Sequence, residues 1–197
     1  PHPMLPPMAT RAACRYGANA LAPADATSSY DAIDMLVEAL LYQFPALTHL
    51  TIVGHSSGGQ FVQRYALTST APFWNGAWST PGSHPVESGS GAGASIRAIV
   101  ANPSSFAYLD ARRWEINPAH SALPVLRTNR SWATSCPDYN QWEFGLEEGA
   151  EMKSAPYVQR ALARAGSVGA LVSEYANRDL IYLAGAMDKC NVAVGWC

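Results

Sequence analysis

From residue 28 onward the apolar positions fall into a helical period. Ile33, Leu36, Val37, Leu40, Leu41 and Phe44 recur at three- and four-residue steps, as the buried face of an α-helix requires. Ser28 or Ser29 supplies a cap at its start and Pro45 ends it. The pattern then changes to Leu50-Thr51-Ile52-Val53, a brief β-branched run closed by Gly54, which predicts a buried parallel strand. A second helix is predicted from near Gly58, with Phe61, Val62, Tyr65 and Ala66 at helical spacing. It fades into a stretch rich in Pro, Gly and Ser from Ala71 to Ala94, which reads as a long loop or flexible insertion. A second strand, Ile96 to Ala101, halts at Asn102-Pro103, because proline has no N–H for the ladder. The order strand, helix, strand predicts a parallel sheet.

Farther along, Asp110 to Tyr157 has no sustained period and carries Trp114, Trp132, Tyr139, Trp142 and Phe144 among turn residues. It reads as an insertion, or lid, above the sheet. A helical stretch over about Pro156 to Tyr175 leads to a third apolar strand, Leu180 to Ala184, followed by Gly185-Ala186-Met187-Asp188. Pro1 to Thr27 is rich in Pro and Ala and reads mostly as surface loop. The expected architecture is one partial α/β domain over 1–197, a mostly parallel sheet flanked by helices, with the aromatic insertion at 110–157.

Composition narrows the possible partners. A chain of 197 residues, 48% of them hydrophobic, can bury a sizeable core. A formal net charge of -2 with 14% charged residues and no Lys/Arg cluster leaves no electrostatic footprint for nucleic acid. No apolar run approaches the roughly 18–20 residues needed to cross a bilayer, so no transmembrane segment is expected. The first residues also lack a signal-peptide pattern, which fits a mature or truncated start. Cys14, Cys136, Cys190 and Cys197 form no CxxC pair, which argues against a zinc ribbon or a thioredoxin-like motif. Cys190 and Cys197 flank a short loop that suits a local disulfide in an oxidising compartment, and buried free thiols are an equal alternative. The histidines lack metal-ligand spacing such as H-E-x-x-H, and the reading calls for no metal and no cofactor.

Chemistry concentrates at Gly54-His55-Ser56-Ser57-Gly58, a G-x-S-x-G motif between a predicted strand and a predicted helix. That context is the one a nucleophile elbow needs. The turn holds its serine in a strained backbone, and Gly54 and Gly58 are expected to relieve crowding around it, with Gly59 letting the helix approach the sheet. Ser56 Oγ then stands at the carboxyl edge of the sheet. The Ser57 N–H and the positive end of the helix face the site where an oxyanion would develop.

A serine needs a base and an acid, in the chain order Ser, Asp or Glu, His. Asp188, just past the third strand, is the candidate acid and Asp110 the runner-up. No histidine follows Asp188; His2, His49, His55, His84 and His120 all precede it. His55 lies inside the elbow and His49 at the far end of its strand, and His84 and His120 fall in loops. A second chain or a segment outside 1–197 is therefore a candidate source of the base.

Three stretches, His49 to Tyr65, Ile96 to Arg113 and Leu180 to Asn191, together resemble a family of secreted microbial-type and algal α/β-hydrolases. The segments that carry the resemblance are GHSSGGQFVQRYA, ANPSSFAYLD, CPDYNQWEFGLE and IYLAGAMDKCN. The resemblance implies a serine hydrolase with Ser56 as nucleophile and Asp188 as acid, acting on a small-molecule carboxylic ester in an extracellular or secretory setting. It also implies that Cys190 belongs to a disulfide-bearing loop. In the family a strand and a glycine-containing oxyanion loop come before the equivalent of Pro1-His2-Pro3, and a final strand with the catalytic histidine comes after the Cys-rich loop. The chain thus reads as a central span of such a protein. The alternatives are a hydrolase scaffold without catalysis, acting in binding or structure, and a peptidase built on the same elbow.

Overall fold

A computed structural model of the 197-residue chain describes residues 13–19, 27–71, 94–110, 112–115, 125–127 and 143–185. After a short 3-10 turn at Ala13–Tyr16 come helix α1 (Ser29–Gln43), strand β1 (His49–His55), helix α2 (Ser57–Thr68) and strand β2 (Ser95–Ala101). A small antiparallel pair follows, β3 (Arg113–Glu115) with β4 (Val125–Arg127). Three helices, α3 (Glu151–Ser154), α4 (Pro156–Ala165) and α5 (Val168–Ala176), precede strand β5 (Leu180–Leu183). The chain is an α/β protein with a small parallel sheet and helices packed on it.

The three strands expected from apolar runs form that sheet in the order β1-β2-β5, all parallel, but β1 is not the buried strand expected: among the described residues it is an edge strand, with Thr51 and Val53 exposed and Leu50 and Ile52 half-buried. β2 is central: His49 to His55 pair with Ser95 to Ala101, and Ala98 to Ala101 pair with Leu180 to Leu183. Parallel strands require crossovers: α2 lies in the one from β1 to β2, and the β3-β4 pair and three helices lie in the one from β2 to β5. The N–H of Ala98 donates to the Asp179 carbonyl at 3.0 Å, and Arg97 pairs with the Asp179 carboxylate at 2.6 Å. Both contacts fix the start of β5 against β2.

α1 begins with the expected Ser28 cap. Its hydroxyl accepts from Asp31 N–H, and the Asp31 carboxylate accepts from Ser28 N–H in return, so two of the free N–H groups at the helix start are satisfied. The buried stripe, however, is centred on Tyr30 and Val37, whereas Leu36 and Phe44 of the predicted face are 54% and 51% exposed. Tyr30 draws the stripe to one side: it packs edge-on against Phe61, Tyr65 and Tyr157, which leaves Leu36 off that line, while Phe44 is the C-cap at φ −123°, ψ 74° and lies beyond the helix that carries the stripe. The helical stretch expected over 156–175 is two helices. Gly166 adopts the left-handed conformation at φ 82° and ends α4, and Ser167 caps α5 by accepting from Ala170 N–H at 3.0 Å.

The core lies between α2, β2 and the C-terminal helices, with Val62, Leu67, Val100, Val158 and Leu171 buried. Within the stretch expected as an insertion, residues 143–155 contribute Phe144, Leu146 and Met152 to this same core. Residues 144–146 also bond to the chain beyond β2, Tyr108 N–H to Phe144 O and Leu146 N–H to Tyr108 O. Most of 110–142, with Trp132, Tyr139 and Trp142, lies outside the described residues. No helix among the described residues is long and apolar enough to cross a membrane.

Candidate active site

β1 ends at His55, and Ser56 turns the chain directly into α2. Its backbone stands at φ 55°, ψ −118°, a region that L residues avoid at a cost of about 1–3 kcal/mol. Two backbone bonds hold it there. Ser56 N–H donates to the Ala101 carbonyl at the end of β2 at 2.9 Å, and Gln60 N–H donates to the Ser56 carbonyl at 3.0 Å. A serine in this helix-capping position ordinarily accepts an N–H of the first turn. Ser56 makes no such bond and is exposed, so its hydroxyl is free to face a bound molecule.

The glycines around the turn divide by what surrounds them. A Cβ on Gly54 would lie 2.1 Å from the Gly58 carbonyl oxygen, and one on Gly59 would lie 2.7 Å from the Ala101 oxygen. A Cβ on Gly58 meets nothing within 4 Å among the described residues. The expected steric need is therefore real at Gly54 and Gly59 and does not exist at Gly58, where only the backbone of the residue presses on Gly54. Ser57 opens α2, so its N–H and those just after it have no acceptor within the helix. They point out of the positive end of the helix, beside Ser56.

Beneath the elbow, α2 is buried nearly all round, and its polar residues are buried with it. Gln60 donates to Ser104 Oγ and accepts from Arg15 at 2.8 Å. Gln63 accepts from Ala107 N–H at 3.1 Å and donates to Tyr175 Oη at 3.3 Å. Arg64, fully buried, donates to Ser105 Oγ at 2.8 Å and lies 3.6 Å over the Phe144 ring. Its Nε and Nη1 have no hydrogen-bond partner among the described residues, and burial pushes the guanidinium down to about 10. The network binds the elbow helix to the loop 102–107. Three of the stretches singled out in the sequence, around GQFVQR, NPSSFA and EFGLE, meet in it.

Searches against family models, curated proteins and solved structures found no match to this chain.

The remaining site residues expected from sequence fall in different places. His55 is exposed, with Nε2 3.5 Å from Asn102 Nδ2. His49 is the first residue of β1, and six residues of strand put it about 20 Å from the elbow. Asp110 accepts from Arg112 N–H at 2.8 Å and pairs with its guanidinium at 2.5 Å, so a local ion pair engages the runner-up acid. Asp188, Cys136, Cys190, Cys197, His2, His84 and His120 lie outside the described residues. β5, which leads to Asp188, is described, and Cys14 is an exposed free thiol. Sequence periodicity does not reveal the buried polar face of α2 or the part played by Asn102. A Gln-x-x-Gln-Arg series on a helix looks like a solvent-facing stripe, and only tertiary contacts show otherwise.

Chemically, the arrangement offers an exposed hydroxyl held in a strained turn, free N–H groups of a helix start beside it, and a close strand edge. Those are the parts of a nucleophilic site with an oxyanion pocket.

Proposed function

We propose that the protein is a serine hydrolase of the α/β-hydrolase type acting on carboxylic esters, with Ser56 as nucleophile. The observation that carries the reading is the backbone of Ser56, at φ 55° with its hydroxyl uncapped and exposed between a parallel strand and a helix start. Strain of this kind is retained where function needs it.

In this mechanism Ser56 Oγ attacks the acyl carbon while its proton passes to an imidazole. The carbonyl π pair moves onto oxygen, where the Ser57 N–H stabilises it. The bond from carbon to the alcohol oxygen breaks, the alcohol leaves with the proton from the imidazolium, and water repeats the sequence on the acyl-enzyme to release the acid. Asp188 orients the imidazole. The histidine is one outside the described residues, either His84 or His120 or one supplied by a further segment or a second chain, since His49 and His55 are poorly placed for the task. Resemblance to secreted hydrolases favours a protein of the secretory pathway or cell exterior, with Cys190 in a disulfide-bearing loop.

A fluorophosphonate probe tests the reading on the native protein. Labelling that maps to Ser56 and vanishes in Ser56→Ala is expected, together with hydrolysis of p-nitrophenyl esters. Absence of both overturns the hydrolase and leaves a non-catalytic scaffold. Labelling with turnover of peptide but not ester substrates identifies a peptidase.

A further inference from the structure

Two residues other than glycine have positive φ among the described residues, Ser56 and Asn102. Asn102, at φ 40°, directly follows Ala101, whose carbonyl holds the Ser56 N–H. Asparagine is one of the few side chains that tolerates this conformation. Pro103 follows at once and prevents the strand from continuing. Asn102 therefore stands at the carboxyl end of the central strand, between the strand that delivers Ser56 and the strand that leads to Asp188. Those outer strands are not neighbours; two strand spacings of about 4.8 Å separate them, and the end of β2 is the place from which a side chain reaches both.

Asn102 makes both contacts. Its backbone N–H donates to the Leu183 carbonyl at 2.8 Å. Its side-chain Oδ1 accepts from Gly185 N–H at 2.8 Å, on the turn leaving β5. Its Nδ2 lies 3.5 Å from Nε2 of His55, the residue just before the nucleophile. With Oδ1 committed to an N–H donor, the amide orientation is fixed and Nδ2 faces the imidazole. A single amide thus spans the exit of β5 and the elbow.

We infer that Asn102 is a positioning residue that fixes the exit of β5 at Ala184–Gly185 against the nucleophile elbow. The inference rests on the serine hydrolase reading, because its consequence is the alignment of the chain three residues before Asp188 with Ser56. A catalytic acid misplaced by about 1 Å can cost on the order of a hundredfold in rate, so a hold on its turn is worth more to catalysis than to folding.

The test compares Asn102→Gly with Asn102→Asp in the native protein. Glycine accepts φ 40° without strain and deletes the hold on Gly185; aspartate keeps an oxygen acceptor for the Gly185 N–H. The readouts are kcat and KM on p-nitrophenyl butyrate, and hydrogen exchange of the Gly185 amide. For Asn102→Gly the expected result is a fall in kcat of about tenfold or more, a KM within about twofold, and much faster Gly185 exchange. Asn102→Asp is expected to restore both the protection and most of kcat. An unchanged kcat in Asn102→Gly, a change in KM alone, unaltered exchange, or no rescue by aspartate overturns the inference. A wild-type protein that never labels at Ser56 fails differently: the hydrolase reading falls, and this role for Asn102 falls with it.

Discussion

At the scale of single residues, the elbow sets out a contrast between glycines that look alike in sequence. Gly54-x-Ser-x-Gly58 is symmetrical as a motif, yet only one flank is crowded. A methyl group on Gly54 would enter the backbone of Gly58 at 2.1 Å from its carbonyl oxygen, a group held by helix geometry that cannot swing aside. Gly54→Ala is therefore expected to destabilise by about 3 kcal/mol, or to shift the elbow. Gly58 has helical backbone and open space at its Cβ, so Gly58→Ala replaces a poor helix former with a good one. It is expected to stabilise by up to about 1 kcal/mol. Chemical denaturation of the two variants beside wild type checks both, and equal losses would refute the asymmetry. The strand-turn-helix setting of the motif was legible in the sequence, because an apolar run and a helical period flank it. Which glycine is sterically required was not, because it depends on what the turn places opposite each Cα.

Between elements, one junction is built on Asp34 of α1. Its carboxylate accepts from Tyr65 Oη at 2.7 Å and Ser69 Oγ at 3.1 Å, at the two ends of the last part of α2, and from Tyr157 Oη of α4 at 2.5 Å. One side chain therefore ties three helices together, beside the aromatic cluster of Tyr30, Tyr65 and Tyr157. Asp34→Ala removes the acceptor and leaves two buried phenols without it, so a loss of about 3 kcal/mol is expected. A double-mutant cycle with Tyr157→Phe measures the coupling, which is expected to be about 1 kcal/mol or more; a coupling near zero would show that the clasp contributes nothing. The elements were largely readable beforehand: parallel strands announce themselves as apolar runs, although only β2 is buried along a face and β1 and β5 are half-buried to exposed, and α1 and α2 announce themselves as helical periods. Their junctions were not. Asp34, Gln63 and Arg64 interrupt the apolar period and look like surface positions, because period records which residues are apolar and says nothing about a polar atom that finds a partner from a distant helix. The break at Gly166-Ser167 carried a legible signal, glycine followed by a capping serine, but the apolar period continues across it.

For the molecule as a whole, the buried polar groups fix how stability responds to alkali. Tyr30, Tyr65, Tyr157 and Tyr175 are all buried, and burial is the leading reason that each phenol is pushed above its ordinary range. Asp34 raises Tyr65 and Tyr157 further, since a carboxylate that accepts from a phenol opposes its ionisation. In the unfolded chain these phenols titrate near pH 10. Below that value both states keep the proton, and the full stability is present. Above it the unfolded chain releases protons that the folded chain must retain, so the unfolded state binds fewer protons and stability falls as pH rises. Each such tyrosine contributes a slope of about 1.4 kcal/mol per pH unit. Arg64 and Arg178, which burial pushes down, act in the opposite sense, but two cations against four phenols leave the slope negative. A domain of ordinary stability, about 5–15 kcal/mol, is therefore expected to unfold within a few pH units above 10. The release of tyrosinate from these four residues should accompany loss of structure instead of preceding it. Parallel titration of tyrosinate absorbance and circular dichroism checks this. A tyrosinate step that coincides with the loss of circular dichroism is expected for the four buried phenols; ionisation of all nine tyrosines near pH 10 in a chain that keeps its circular dichroism would mean that the phenols in this core are open to water.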